Sequence, residues 1–128
     1  MPHKPMVLVV DDTESVRKLL AADLAQDGRF VVEQASTAAE GLAIAAKPEC
    51  CVVILDMILP DLNGLEFIEE LRTMRKDPPA IIAITAASQT LAPDSIIEGP
   101  YRGLVSAVFR KPIDRAKLKE TVAFCASA

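Results

Sequence analysis

Five short apolar runs punctuate the chain: Met6–Val10, Phe30–Val32, Cys51–Leu55, Ala80–Ile84 and Ala107–Phe109. They are rich in Val and Ile and mostly lack polar alternation, the pattern of strands buried on both faces and hence of a parallel sheet. Helical spacing fills the intervals. Val16, Leu19, Leu20 and Leu24 recur on one face after the first run, and Gly28 is a stop signal. Thr37 and Glu40 have capping-box spacing ahead of Leu42, Ala43 and Ala46. Leu65, Phe67, Ile68, Leu71 and Met74 form a stripe, opposed by Glu66, Glu69, Glu70, Arg72 and Arg75. Asp114 can cap a last helix whose core side is Leu118, Val122 and Cys125. The interval from Ala86 to Ser106 holds Pro93, Gly99, Pro100 and Gly103, so only a short, irregular fourth helix around Ser95–Glu98 is expected there. The order is βαβαβαβαβα, an α/β fold with crossovers of ordinary length.

Composition narrows the classes. With 128 residues, 51% of them hydrophobic and 25% charged, the expectation is one domain, residues 1–128, able to bury a real core. The net charge of −4 disfavours direct nucleic-acid binding, which calls for a basic stripe. No Trp and a single Tyr leave little for base stacking. Cys50, Cys51 and Cys125 form neither a disulfide framework nor metal-ligand spacing and read as reduced thiols. Met6–Val10 is too short for a signal peptide or membrane span, so a cytoplasmic protein without membrane contact is expected.

Candidate chemistry gathers where an open parallel sheet binds ligands, beyond the carboxyl ends of its strands. Asp11 and Asp12 follow the first run, Asp56 the third, Thr85 and Ala86 the fourth, Lys111 and Pro112 the fifth. Singly, each has a plain structural role: a turn or helix cap, a strand-end hydroxyl, a solvated lysine. Together they place three carboxylates, a hydroxyl and an ammonium on one edge. Adjacent carboxylates raise one another's pKa unless a cation holds them. An all-oxygen donor set favours a hard ion, and partly hydrated Mg²⁺ suits it best. A carboxylate flanked by Mg²⁺, an ammonium and a hydroxyl is a competent nucleophile for phosphoryl transfer.

Val9-Val10-Asp11-Asp12, the stretch from Ile54 to Gly64 with its L-D-x-x-L-P-x-x-x-G pattern, Ile84-Thr85-Ala86 and Arg110-Lys111-Pro112 together resemble the receiver domain of bacterial two-component response regulators, single-domain chemotaxis regulators included. The resemblance runs from about Met6 to Phe124. It implies a doubly wound (βα)5, flavodoxin-like three-layer sandwich with five parallel strands in the order 2-1-3-4-5. It implies Asp56 as phospho-acceptor, and Mg²⁺ held by Asp11, Asp12, Asp56 and the backbone carbonyl of Ile58. Thr85 would be the switch hydroxyl, with small Ala86 leaving room for the phosphoryl group. Lys111 would pair with Asp56 or its phosphate and precede a cis Pro112. Pro60 and Gly64 would shape the loop after Asp56. Ile58 and Ala87 would govern water access and so phosphate lifetime. The implied partners are a sensor histidine kinase or histidine phosphotransfer protein. Downstream, the resemblance implies a target protein or a homodimer on the face of the fourth helix, fifth strand and fifth helix. No output domain is recognised after the last helix, which leaves a stand-alone receiver or part of a longer regulator or hybrid kinase.

Two features depart from the family pattern. Val108 stands where relatives carry Tyr or Phe, and strand alternation sends Phe109 to the other face; Tyr101 is no obvious substitute. The stretch between Thr85 and Lys111 is long and unusual in its Pro and Gly content. Leu91, Ile96 and Ile97 there face either the core or a partner. The alternative function is a receiver-fold interaction module independent of phosphate. An aspartyl-phosphate enzyme is disfavoured because Ile58 stands where a dehalogenase-like phosphatase carries its second Asp. A flavodoxin-type redox protein is disfavoured by the acidic cluster. Self-phosphorylation and slow autodephosphorylation are the only expected reactions.

Overall fold

The computed structural model describes residues 4–86 and 105–127. The elements are β1 (Met6–Val10), α1 (Glu14–Asp27), β2 (Val31–Ala35), α2 (Ala38–Ala45), β3 (Cys50–Asp56), α3 (Gly64–Met74), β4 (Ala80–Thr85), β5 (Val105–Arg110) and the last helix, here α4 (Arg115–Ala126). The five strands are parallel in the order β2-β1-β3-β4-β5. The expected short helix around Ser95–Glu98, with Ala87, Leu91, Ile96, Ile97 and Tyr101, lies outside the described residues.

Strand alternation divides the core into two layers. Leu8, Val10, Val53, Leu55, Ile81 and Ala83 point to the side covered by α2 and α3, where they meet Leu42, Phe67, Ile68 and Leu71. Val7, Val9, Val52, Ile54, Ile82 and Ile84 point the other way, onto Leu20 and Leu24 of α1 and Leu118 and Val122 of α4. The central strands β1, β3 and β4 are therefore apolar almost throughout. The edges differ. In β2, Val31, Glu33 and Gln34 are exposed, and in β5 Ser106 and Arg110 are. Burial on both faces thus fails for β2, and the strand runs on to Ala35 because backbone pairing with β1, not side-chain burial, defines it.

Helix ends follow their sequence signals with small changes. Gly28 closes α1 at φ +83°, a left-handed conformation that suits glycine. Asn63 and Glu66 make a reciprocal capping box on α3, and the Asp114 side chain accepts from the Lys117 N–H on α4. On α2, Thr37 Oγ1 accepts from the Glu40 N–H at 3.2 Å, but the Glu40 carboxylate turns to Ser36 instead of closing the box. Two stripe positions prove exposed, Leu19 at 44% and Met74 at 49%, because the apolar face of each helix is narrower than its leucine and methionine content.

Candidate functional site

The site lies at the carboxyl edge of the sheet, built from the ends of β1, β3, β4 and β5. Asp11, directly after β1, is fully buried; its N–H donates to Ala35 O at 3.1 Å, extending the pairing with β2. Its Oδ1 accepts from the Thr13 N–H at 2.9 Å, while Arg17 Nη1 donates to its carbonyl oxygen at 3.1 Å. Asp12 is exposed. Asp56 ends β3 and is buried, with Oδ1 accepting from the Ile58 N–H at 3.0 Å. Each of Asp11, Asp12 and Asp56 offers a carboxylate oxygen within 4.8 Å of the others. Lys111 reaches over this cluster from the end of β5: Nζ lies 3.3 Å from Asp11 Oδ2 and 3.7 Å from Asp56 Oδ2. Its own N–H donates to Thr85 O at 2.8 Å, tying the ends of β4 and β5 together, and its bond to Pro112 is cis. Thr85 is buried beside them.

The electrostatics follow from burial. Desolvation pushes the Asp56 carboxyl up to about 6, reinforced by the neighbouring Asp11 charge and opposed by the Ile58 amide and Lys111. Asp11 Oδ2 is buried with no hydrogen bond aimed at it. An oxygen-only set with one orphaned buried carboxylate oxygen fits a hard divalent cation, and a single ammonium does not satisfy it.

The loop after Asp56 is held tightly. Met57 N–H donates to Ile84 O at 3.0 Å, Gly64 N–H to Met57 O at 2.7 Å and Leu59 N–H to Leu62 O at 3.2 Å. A Cβ on Gly64 would meet Met57 Cα at 2.9 Å and Cε at 2.6 Å, so only glycine fits there. Val108 packs toward the α2 and α3 side while Phe109 is buried on the α1 and α4 side, as alternation requires.

The structure thus brings together the Asp11, Asp12 and Asp56 carboxylates and the Lys111 ammonium, with the Ile58 N–H on Asp56 and the Thr85 carbonyl on the Lys111 N–H; Ala86 follows Thr85 directly after β4. Sequence reading missed Arg17, which props the Asp11 carbonyl, and Asp61, whose carboxylate accepts from the Ala38 and Ala39 N–H groups at 2.9 and 3.0 Å. Those donors lie far upstream in sequence, so no local motif signals the bond.

The family model described as response regulator receiver domain matches residues 7–123, and the chain belongs to that family. The KDP operon transcriptional regulatory protein KdpE of Escherichia coli (strain K12) is 40% identical over 83 residues, covering 65% of this chain and 36% of that protein. Transcriptional regulatory protein GlrR of the same strain is 30% identical over 123 residues, 95% of this chain and 26% of that one. The chain thus spans a quarter to about a third of these relatives. Among solved structures, a response regulator receiver protein from Pseudomonas putida superposes with a TM-score of 0.81 at 26% identity, covering 97% of this chain and 99% of that one. Among the described residues, no helix is long and apolar enough to cross a membrane.

Proposed function

We propose that the chain is a single receiver domain, acting in the cytoplasm, that accepts a phosphoryl group on Asp56 from a sensor histidine kinase or histidine phosphotransfer protein. The observation that carries this reading is the Lys111 ammonium set 3.3 and 3.7 Å from two buried carboxylates at the edge where this family's strands end. Attack requires the ionised Asp56 carboxylate, which burial disfavours and which the Lys111 ammonium and a bound cation favour. The Ile58 amide holds Oδ1, leaving Oδ2 as the freer oxygen. Attack forms an O–P bond as the P–N bond of a phosphohistidine donor breaks, and the donor nitrogen keeps the electron pair. Asp11, Asp12, Asp56 and the Ile58 carbonyl would hold Mg²⁺, which when bound neutralises charge on the carboxylates and on the phosphoryl oxygens. Lys111 pairs with the incoming oxygens and Thr85 offers them a hydroxyl, while Ala86 keeps the space clear.

Phosphorylation then biases a two-state surface and changes affinity for a target protein or a second copy through the face that includes β5 and α4. No direct nucleic-acid or membrane contact is part of this reading. Val108 favours one alternative, a phosphate-independent interaction module, because it supplies no ring to swing inward. Incubation with acetyl phosphate and Mg²⁺, followed by intact-mass measurement, separates the two. A gain of one phosphoryl group, lost with EDTA and in Asp56→Ala, supports the switch. No gain from acetyl phosphate or from a phosphorylated histidine phosphotransfer protein, together with no Mg²⁺ binding, favours the interaction module.

A further inference from the structure

The loop that carries the Ile58 backbone projects past the end of β3, and its side-chain anchors set its position. Leu59 is buried in the α2 and α3 layer and Leu62 packs against it. Asp61 supplies a polar anchor, its two oxygens taking the Ala38 and Ala39 N–H groups at 2.9 and 3.0 Å. Thr37 takes the next donor of that helix, the Glu40 N–H. A carboxylate at a helix amino end is favoured by the exposed N–H groups and the helix dipole. These bonds, led by the one from Ala38, hold the Asp61 carboxyl below its ordinary value. Behind Ala38 the chain returns directly to Ala35, whose carbonyl accepts the Asp11 N–H at 3.1 Å. The connections therefore close a ring around the acidic cluster: Asp11 to Ala35, Ala38 to Asp61, back through the loop to Ile58 and Asp56, and across Lys111 to Asp11.

We propose that Asp61 is a positioning residue, which ties the 57–63 loop to the amino end of α2 and so holds the Ile58 backbone in register with Asp11 and Asp56. The inference rests on the metal role assigned to Ile58 under the proposed function. Asp61 itself is outside the carboxylate cluster of Asp11, Asp12 and Asp56, both of its oxygens being taken by the Ala38 and Ala39 N–H groups. Groups that orient a ligand one shell out typically affect metal affinity by about 10–100-fold.

The test compares Asp61→Ala, Asp61→Asn and Thr37→Ala. Thr37→Ala weakens the same helix end but leaves the loop alone. In metal-free protein, amide hydrogen exchange at Leu59 and Gly64 should quicken about tenfold in Asp61→Ala and stay unchanged in Thr37→Ala. Calorimetric titration with Mg²⁺ should show affinity down about tenfold in Asp61→Ala, by less in Asp61→Asn, which keeps one acceptor oxygen, and unaltered in Thr37→Ala. Equal loss of Mg²⁺ affinity in Asp61→Ala and Thr37→Ala would overturn the proposal, because a general loosening of α2 would then account for it. So would unchanged loop exchange in Asp61→Ala. If the unsubstituted protein binds no Mg²⁺, the metal reading fails, and the exchange comparison alone decides whether Asp61 holds the loop.

Discussion

Gly64→Ala probes the junction between the fold and the site. The Gly64 N–H donates to Met57 O at 2.7 Å, which pins the start of α3 against the residue following Asp56. A methyl group on Gly64 would stand 2.9 Å from Met57 Cα, 2.6 Å from its Cε and against its Sδ. Carbon atoms in contact prefer about 3.5–4.0 Å, so the two segments must part by roughly 0.6–1 Å or Met57 must leave its rotamer. Met57 is fully buried, so its side chain has no free space to enter. Overpacking of this kind costs about 1–3 kcal/mol, and the better helix propensity of alanine returns at most ~1 kcal/mol. The net expectation is a loss of about 1–2 kcal/mol, read in urea unfolding as a midpoint lower by roughly 0.5–1 M. Because the displaced backbone adjoins Asp56, phosphoryl acceptance should slow as well. Gly28→Ala is the comparison. Nothing lies within 4 Å of its added methyl, and its φ of +83° makes it cost about 1 kcal/mol while phosphorylation stays unchanged. A Gly64→Ala protein that unfolds at or above the normal urea midpoint would refute the steric reasoning.

Other expectations follow from the same geometry. Phe67 is wholly enclosed between α3 and the sheet, so Phe67→Ala should lower stability by about 3–5 kcal/mol in denaturant unfolding. Asp56 is an acid whose carboxyl is raised on folding, so the stability it contributes is present below pH ~4 and lost as pH rises through about 6. Metal-free Asp56→Asn should therefore be more stable than the unsubstituted protein at pH 7, by on the order of 2 kcal/mol, with the difference fading toward pH 4; equal stability at pH 7 would count against the burial cost. Asp23 is lowered by its paired hydrogen bonds with Arg115, both 2.6 Å, which join α1 to α4. A lowered acid contributes stability above its unfolded value that is lost as pH falls through the lower folded value. Arg115→Ala should therefore lower the neutral plateau slightly, since a half-exposed pair contributes little, with the difference vanishing below about pH 4 so that the acid limb becomes shallower. An unchanged acid limb would show that the pair does not act in solution.

How far the chain could be read without its structure depended on where each residue's partners lie. β1 runs from Met6 to Val10 as its apolar run does, and β3 and β4 each lie within one residue of theirs, because strands covered on both faces leave little room for polar residues. β2 and β5 are edge strands. Glu33, Gln34 and Ser106 sit within them at no cost to the core, so the apolar runs there stopped short of the paired backbone. The acidic cluster, Thr85 and Lys111 were legible because each lies within two residues of the end of an apolar run, and the fold gathers strand ends at one edge. Asp61 was not, since what defines it is a pair of hydrogen bonds from backbone remote in sequence; Arg17 lies close to Asp11 in the chain, but its bond to the Asp11 carbonyl depends on how α1 leaves β1, which no side-chain spacing marks. Gly64 could be seen as a turn residue, but its reason, the Met57 backbone beneath it, is a fact of packing.

The most direct measurement asks which residue carries the phosphoryl group. After reaction with acetyl phosphate and Mg²⁺, borohydride reduces an aspartyl phosphate to homoserine, and peptide mass mapping then locates the modified position. Homoserine at Asp56, absent when EDTA is included, is the expected result. Label at Asp11 or Asp12 in place of Asp56, or at a residue outside the cluster, would contradict Asp56 as the acceptor.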